Sequence, residues 1–325
     1  MALLEVEDLA LRLSTARGPA TALRGIGFAL ERGETLGLIG ESGSGKSLTA
    51  LALMGLLPEG ATLSGHIRFA GTELIGLSEK ERCRLRGNRI AMVFQEPMTA
   101  LNPVHTIGRQ VAEPLLLHKG WSAASARAEA ARLLDRVGIA EARRRLDSFP
   151  HELSGGQRQR VTIAMALACG PDLLIADEPT TALDVTVQRQ ILDLIADLVA
   201  ERQMALLLIS HDLAVIAERV ARMLVMYGGS IIESGPTAAV FARLAHPYTQ
   251  GLFAARPRLG ATRGTRLATI AGSVPDLVDL PSGCPFAGRC ALTIDACLPS
   301  LPKAERVGPG HVARCIRLDA ALAPP

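Results

Sequence analysis

Several groups of residues in this 325-residue chain have types and spacings suited to phosphate chemistry. Gly40-Glu41-Ser42-Gly43-Ser44-Gly45-Lys46-Ser47 fits G-x-x-x-x-G-K-[ST], a loop whose backbone N–H groups surround phosphate oxygens while the lysine adds a point charge. Leu48 carries the loop into an apolar run, and Ser47 is placed to ligate Mg²⁺. Asp177-Glu178 closes another apolar run. Adjacent strand residues point opposite ways, so the two carboxylates can take separate tasks. Asp177 suits Mg²⁺ held through its water shell, and Glu178 suits polarisation of an attacking water. Gln95 and His211 each follow a further short apolar run, where a polar side chain can reach a metal, a water or a phosphate. Taken together these are the parts of a nucleoside-triphosphate site, with Mg²⁺ as its metal.

The elements that must position these groups are readable around them. Thr35–Ile39 reads as a buried strand and Ser47–Met54 as a helix, which sets phosphate at a helix N-terminus, where unpaired N–H groups and the dipole favour an anion. Arg89–Phe94, Pro171–Ala176 and Ala205–Ile209 read as further strands. All four groups (residues 40–47, 95, 177–178 and 211) therefore fall at carboxyl ends of apolar strands, the place where parallel α/β sheets bind ligands. Residues 2–13 and 21–30 look like an antiparallel strand pair, and a short strand is expected at His66–Ala70, separated from Arg89–Phe94 by the charged segment Ser78–Arg86. Helical spacing at Ile107, Val111 and Leu115, and again at Leu133, Leu134 and Val137, predicts two or three helices over 106–145. Then comes Leu153-Ser154-Gly155-Gly156-Gln157. Ser154 is a good N-cap, and the helix it opens should run to about Cys169. Residues 185–200 read as an amphipathic helix, and strands near 221–227 and 230–233 turn at Gly228-Gly229.

Composition narrows the classes. The length has room for about two domains. Hydrophobic residues are 48% and charged residues 21%, so a large core is available and global disorder is excluded. Mean hydropathy is high at +0.25. Yet the longest apolar run, Met204–Ile209, is far short of the roughly 18–20 residues that span a bilayer. The N-terminus has no basic region ahead of an apolar one, so the chain is expected in the cytosol or attached to a membrane through partners. A net charge of +3 and 3% aromatics leave little for base stacking, and no nucleic-acid partner is expected. Six cysteines in such a chain are expected to be reduced.

Leu153–Gln157 resembles the signature motif of ABC ATPases, and it lies where that family places it, between the phosphate loop and the next strand. The resemblance implies an α/β fold: a P-loop NTPase core with an antiparallel β subdomain and a helical insertion (about 104–168), together forming an ATPase domain over 3–250. It also implies that Leu153, Ser154, Gly155, Gly156 and Gln157 close on ATP held by a second ATPase subunit, giving two composite sites in a head-to-tail dimer. Asp184 resembles the D-loop aspartate and His211 the switch histidine. Glu178, His211 and Gln95 are the implied catalytic group, and Ser47, Gln95 and Asp177 the implied Mg²⁺ ligands. Many relatives hold adenine on an aromatic ring, where this chain offers Leu11 or Leu13. The surface around Gln95–Pro103 is where motion would pass to membrane-embedded subunits.

The tail resembles a narrower group. His246–Leu252 and Gly272–Pro275 look like segments of oligopeptide, dipeptide and nickel importer ATPases, and residues 251–325 like their small cysteine-containing C-terminal domain. Cys284, Cys290, Cys297 and Cys315 are spaced C-x5-C-x6-C-x17-C, with Gly288-Arg289 where members commonly show Pro-Arg. Four clustered thiols imply a soft-ligand site that helps a short segment fold. No C-x2–4-C pair favours zinc. The resemblance implies a [4Fe-4S] cluster on these four residues, and zinc or unliganded thiols are the alternatives. The expected partners are two transmembrane permease subunits, a second ATPase subunit (a paralogue or this chain itself) and an extracytoplasmic solute-binding protein. The expected place is the cytoplasmic face of the inner membrane, as a peripheral subunit. A soluble ABC ATPase acting on nucleic acid or the ribosome is the alternative, opposed by the single ATPase core and the tail. The solute is not written in this chain.

Overall fold

A computed structural model describes residues 2–96, 100–181, 183–255 and 269–323. In chain order its strands begin with β1 (Leu4–Thr15), β2 (Gly18–Leu30), β3 (Thr35–Ile39), β4 (Thr62–Phe69), β5 (Thr72–Glu73) and β6 (Ile90–Val93). They continue with β7 (Leu173–Asp177), β8 (Ala205–Ile209), β9 (Arg222–Tyr227), β10 (Ser230–Pro236), β11 (Glu305–Gly308) and β12 (His311–Ala313). Two compact units interleave in sequence. One is built mainly from residues 30–35 and 76–209, the other from 4–29, 36–75 and the described residues from 210 onward.

In the first unit β6, β7 and β8 form parallel pairs, with Ile90 opposite Leu173 and Leu173 opposite Ala205. Every residue of these three strands is buried. That is why they read as unbroken apolar runs rather than alternating ones. Each fully buried Leu or Ile contributes about 1.5–3 kcal/mol, so the strand ends are firmly fixed. Three helices, Ile107–Lys119, Ala123–Arg136 and the short Ala142–Arg145, occupy the expected insertion. The helix after Ser154 ends at Leu167, and the amphipathic helix spans Val185–Arg202. Ser78–Arg86, expected only as a charged segment, holds the helix Glu79–Leu85, opened by a reciprocal capping box between Ser78 and Glu81.

The second unit holds a four-stranded sheet ordered β2-β1-β4-β5, with β1 and β4 antiparallel. It also holds β3 parallel to β9, from Leu36 opposite Arg222 to Ile39 opposite Val225. β9 turns at Gly228-Gly229 into antiparallel β10, and β10 pairs in turn with β12, which pairs with β11. The tail after residue 269 thus belongs to the same compact unit as the phosphate loop rather than closing on itself. The physical reason lies in its shortage of regular structure and in one buried carboxylate. Glu233 on β10 accepts from the backbone N–H groups of Ala245 (2.8 Å) and His246 (2.9 Å) and lies 2.8 Å from His311 Nε2 on β12. Burial lowers the His246 imidazole to about 3, so the ring is neutral and its Nδ1 accepts from Tyr248 N–H at 3.1 Å.

Among the described residues no helix is long and apolar enough to cross a membrane.

Candidate functional site

The phosphate loop lies in the second unit, between β3 and the helix Lys46–Met54. A Cβ at Gly40 would stand 2.3 Å from Met226 O and 2.7 Å from Ser44 Oγ, so only glycine lets the strand end enter the loop. Gly45 caps the helix at φ 105°, and neither a side-chain cap nor an acidic residue occupies its first turn. That terminus therefore keeps its N–H groups and positive dipole end for an anion. Lys46, 5% exposed, donates from Nζ to Gly40 O (2.8 Å) and Glu41 O (3.0 Å). Ser42 and Gly43 are exposed, Ser44 is buried, and Ser47 and Leu48 are half-buried.

Glu41 is held from far along the chain. Its N–H donates to Tyr248 Oη at 2.8 Å, and its carboxylate takes a two-pronged ion pair from Arg289, at 2.7 and 3.2 Å. Neither Tyr248 nor Arg289 belongs to a nucleotide-binding pattern, and only the position of Arg289 beside Cys290 hinted at a role. Leu11 is fully buried and so committed to packing, whereas Leu13 remains half-exposed. His211 is exposed, preceding Asp212, whose carboxylate caps the helix Leu213–Arg219 by accepting from Ala214 N–H at 2.8 Å.

The carboxylates lie in the first unit. Asp177, 4% exposed, ends β7. Glu178 follows in the left-handed region at φ 45°, a conformation that costs a non-glycine residue about 1–3 kcal/mol and collects at functional sites. The N–H of Glu178 donates to Ile209 O at 2.9 Å, which holds the bend against the end of β8. Its Oε2 accepts from Gln95 Nε2 at 3.2 Å and from Thr181 Oγ1 at 3.1 Å. The structure thus joins Gln95 to Glu178 directly, and Thr181 is a partner that sequence reading passed over.

Leu153 is buried, and Ser154 caps the helix Gly155–Leu167 through a capping box with Gln157: Ser154 Oγ accepts at 3.3 Å and Gln157 Oε1 at 3.0 Å. Asp184 caps Val185–Arg202, accepting from Val187 N–H at 3.0 Å. Val185 beside it is 81% exposed. Of the expected coupling surface, Pro97, Met98 and Thr99 lie outside the described residues.

Cys284, Cys290, Cys297 and Cys315 all line one cavity. Burial pushes the Cys284 thiol up to about 11, with the other three thiols adding to the rise. Cys83 is exposed and Cys169 buried, apart from this group. Among the described residues no group of three or more His, Cys, Asp or Glu is close enough to hold a metal ion. Four thiolates on one tetrahedral zinc stand about 3.8 Å apart, given Zn–S near 2.3 Å. The four thiols line one cavity, but the expected [4Fe-4S] site is not formed among the described residues.

The comparisons with known proteins agree with this geometry. A family described as ABC transporter matches residues 23–181, and one described as oligopeptide/dipeptide transporter, C-terminal region, matches 232–297. A putative peptide import ATP-binding protein of Brucella abortus is 50% identical over 97% of each chain. This chain belongs to the ABC transporter family. As an ABC ATPase it uses ATP and Mg²⁺ and has the fold's α/β core with an antiparallel sheet and helices. The oligopeptide transport ATP-binding protein OppD of Escherichia coli K12 is 50% identical over 97% of this chain and 93% of its own. Among solved structures, a dimeric ATP-binding cassette bound to ADP and Pi is similar at a TM-score of 0.65, with 28% identity, covering 72% of this chain and 98% of that one.

Proposed function

We propose that this chain is the ATP-hydrolysing subunit that energises import of peptides or related solutes through partner permeases. The observation that carries the reading is the continuous similarity to peptide import ATP-binding proteins across 97% of the chain, tail included. In this reading residues 3–250 are the ATPase domain, with its insertion at 104–168, and 251–325 the importer-type tail.

Gly40–Leu48 hold the phosphates of ATP, and Ser47, Gln95 and Asp177 hold Mg²⁺. Glu178 accepts the proton of a water that attacks the γ-phosphorus as the bond to the β-phosphate oxygen breaks, giving ADP and phosphate. His211 contacts the γ-phosphate. Leu153–Gln157 and Asp184 act across a dimer, and the exposed Val185 beside Asp184 favours burial against a second ATPase subunit. That subunit is a paralogue or a second copy. Two transmembrane permeases and an extracytoplasmic solute-binding protein complete the importer, and the chain works as a peripheral subunit on the cytoplasmic face of the inner membrane.

The proposed iron–sulfur cluster rests on the four soft cysteine ligands that line one cavity. The described residues are not gathered closely enough to hold a metal ion, so binding would have to draw the thiols together. Bound there, a [4Fe-4S] cluster would supply cross-linking that stabilises the tail.

Affinity purification from membranes tests the transport reading. Permease subunits should co-purify, and recovery with ribosomes or nucleic acid in their place would overturn it. Anaerobic purification with iron and acid-labile sulfide analysis tests the cluster. Both should be present and be lost on Cys284→Ser. Zinc alone, or no metal, would remove the cluster and leave the ATPase reading standing.

A further inference from the structure

The contact between the tail and the phosphate loop is built, not incidental. Arg289 has a side chain only 7% exposed, and it spends both ends of its fork on Glu41, the first residue inside the loop. The same guanidinium donates from Nε to Ala271 O at 2.8 Å and from Nη1 to Tyr227 Oη at 3.2 Å. It also lies over the rings of Tyr227 and Phe286, at 5.7 and 5.9 Å from their centroids. Tyr227, Tyr248 and Phe286 pack on one another with centroids 4.7–5.4 Å apart. A planar, five-donor group seated on rings and paired in two-pronged fashion is fixed in direction as well as in charge.

Glu41 is gripped at both levels: side chain by Arg289, backbone N–H by Tyr248. Its remaining backbone group, the carbonyl, accepts from Lys46 Nζ at 3.0 Å. The chain of contacts therefore runs from Arg289 through Glu41 to the lysine that meets phosphate. At its other end, Arg289 sits in the short turn Ala287–Arg289, which is strung between two cavity cysteines. Ala287 N–H donates to Cys284 O at 3.0 Å, and Cys290 N–H donates to Ala287 O at 3.4 Å. Cys284 and Cys290 thus hold the turn that carries Arg289 at both of its ends.

We propose that Arg289 is a positioning residue for the phosphate loop, conveying the state of the cysteine cavity through Glu41 to the affinity for ATP. The proposal rests on the ATPase reading given above. It concerns nucleotide binding more than chemistry, because the contact Glu41 makes is with Lys46 of the phosphate loop.

The test measures ATP binding by equilibrium dialysis and turnover by phosphate release on the full chain. Arg289→Ala should raise Kd and KM for ATP about tenfold while kcat at saturating ATP changes less than about twofold. Glu41→Gln, which leaves the tail's own contacts with Arg289 in place, should do the same, and the double variant should be no worse than either single one. Arg289→Lys should recover only part of the affinity, since it keeps charge and loses the fork. Cys290→Ser should weaken ATP binding in the parent chain and add nothing in the Arg289→Ala background. Wild-type Kd in both single variants, or additive effects in the double, would overturn the positioning role. An equal Cys290→Ser effect with and without Arg289 would overturn the link to the cavity. Lys46→Ala separates the two levels. If the parent chain itself binds no ATP, or binds it equally well without Lys46, the ATPase reading fails first.

Discussion

The two units hold their functional groups by different means. In the unit that carries the carboxylates, several supports are close in sequence, beside the longer reach of Gln95 to Glu178. Thr181 supports Glu178, Gln157 supports Ser154, and Asp184 caps its own helix through Val187, each three residues away. In the unit that carries the phosphate loop, Glu41 is fixed by Tyr248 and Arg289, at separations of 207 and 248 residues. Local support survives displacement of distant chain, and remote support does not. The carboxylate end is thus fixed once its strands pack, whereas the phosphate loop can be adjusted from outside itself.

The largest effect should come from the locally supported end. Replacing Glu178 with Gln keeps the size and the contact with Thr181 but removes the base, and should lower turnover about 10²–10⁴-fold with ATP still bound. Phosphate release and retained nucleotide, measured on the same sample, check this, and wild-type turnover would show that Glu178 is not the base. Next comes the remote end. Tyr248→Phe removes the hydroxyl that accepts from Glu41 N–H and should cost about 1 kcal/mol of loop stability, read as weaker ATP binding with turnover at saturation nearly unchanged. A loss of kcat without a loss of affinity would break the contrast between the two units. Smaller again is Ser154→Ala. Losing one cap of Gly155–Leu167 should lower stability by about 1 kcal/mol in urea unfolding, without changing ATP binding to the single chain.

The same contrast decides what could be read from the sequence. The strands β6–β8 were legible because burial on both faces leaves unbroken apolar runs, and the groups at their ends followed from that. Ser154 and Asp184 were legible because a cap acts within one helical turn. The helix Glu79–Leu85 was missed, since none of its residues is buried and its only signal was the Ser78-to-Glu81 capping spacing. β11 and β12 were missed because four- and three-residue strands exist only through pairing, β12 with β10 and β11 with β12. The grip on Glu41 was invisible for a different reason. A carboxylate and a guanidinium carry no information about each other when 248 residues apart.

The smallest expected effect concerns electrostatic support within the carboxylate unit. Asp172, just ahead of β7, receives Arg32 Nη1 and Arg89 Nε, both at 2.7 Å. Burial alone would raise its carboxyl. The hydrogen bonds and charges of the two arginines outweigh burial and hold it below the ordinary value of 3.8. Above that value both the folded and the unfolded chain carry the carboxylate, and the stabilisation is present in full. As pH falls through it, the unfolded chain takes up the proton first, so stability declines until the folded carboxyl is protonated too. Asp172→Asn should therefore be less stable than the parent at neutral pH, and the gap should narrow as pH drops below about 4. Unfolding midpoints of both chains from pH 7 downward decide the matter. A gap independent of pH would mean that Asp172 acts through packing, leaving the start of β7 without a charge-based anchor.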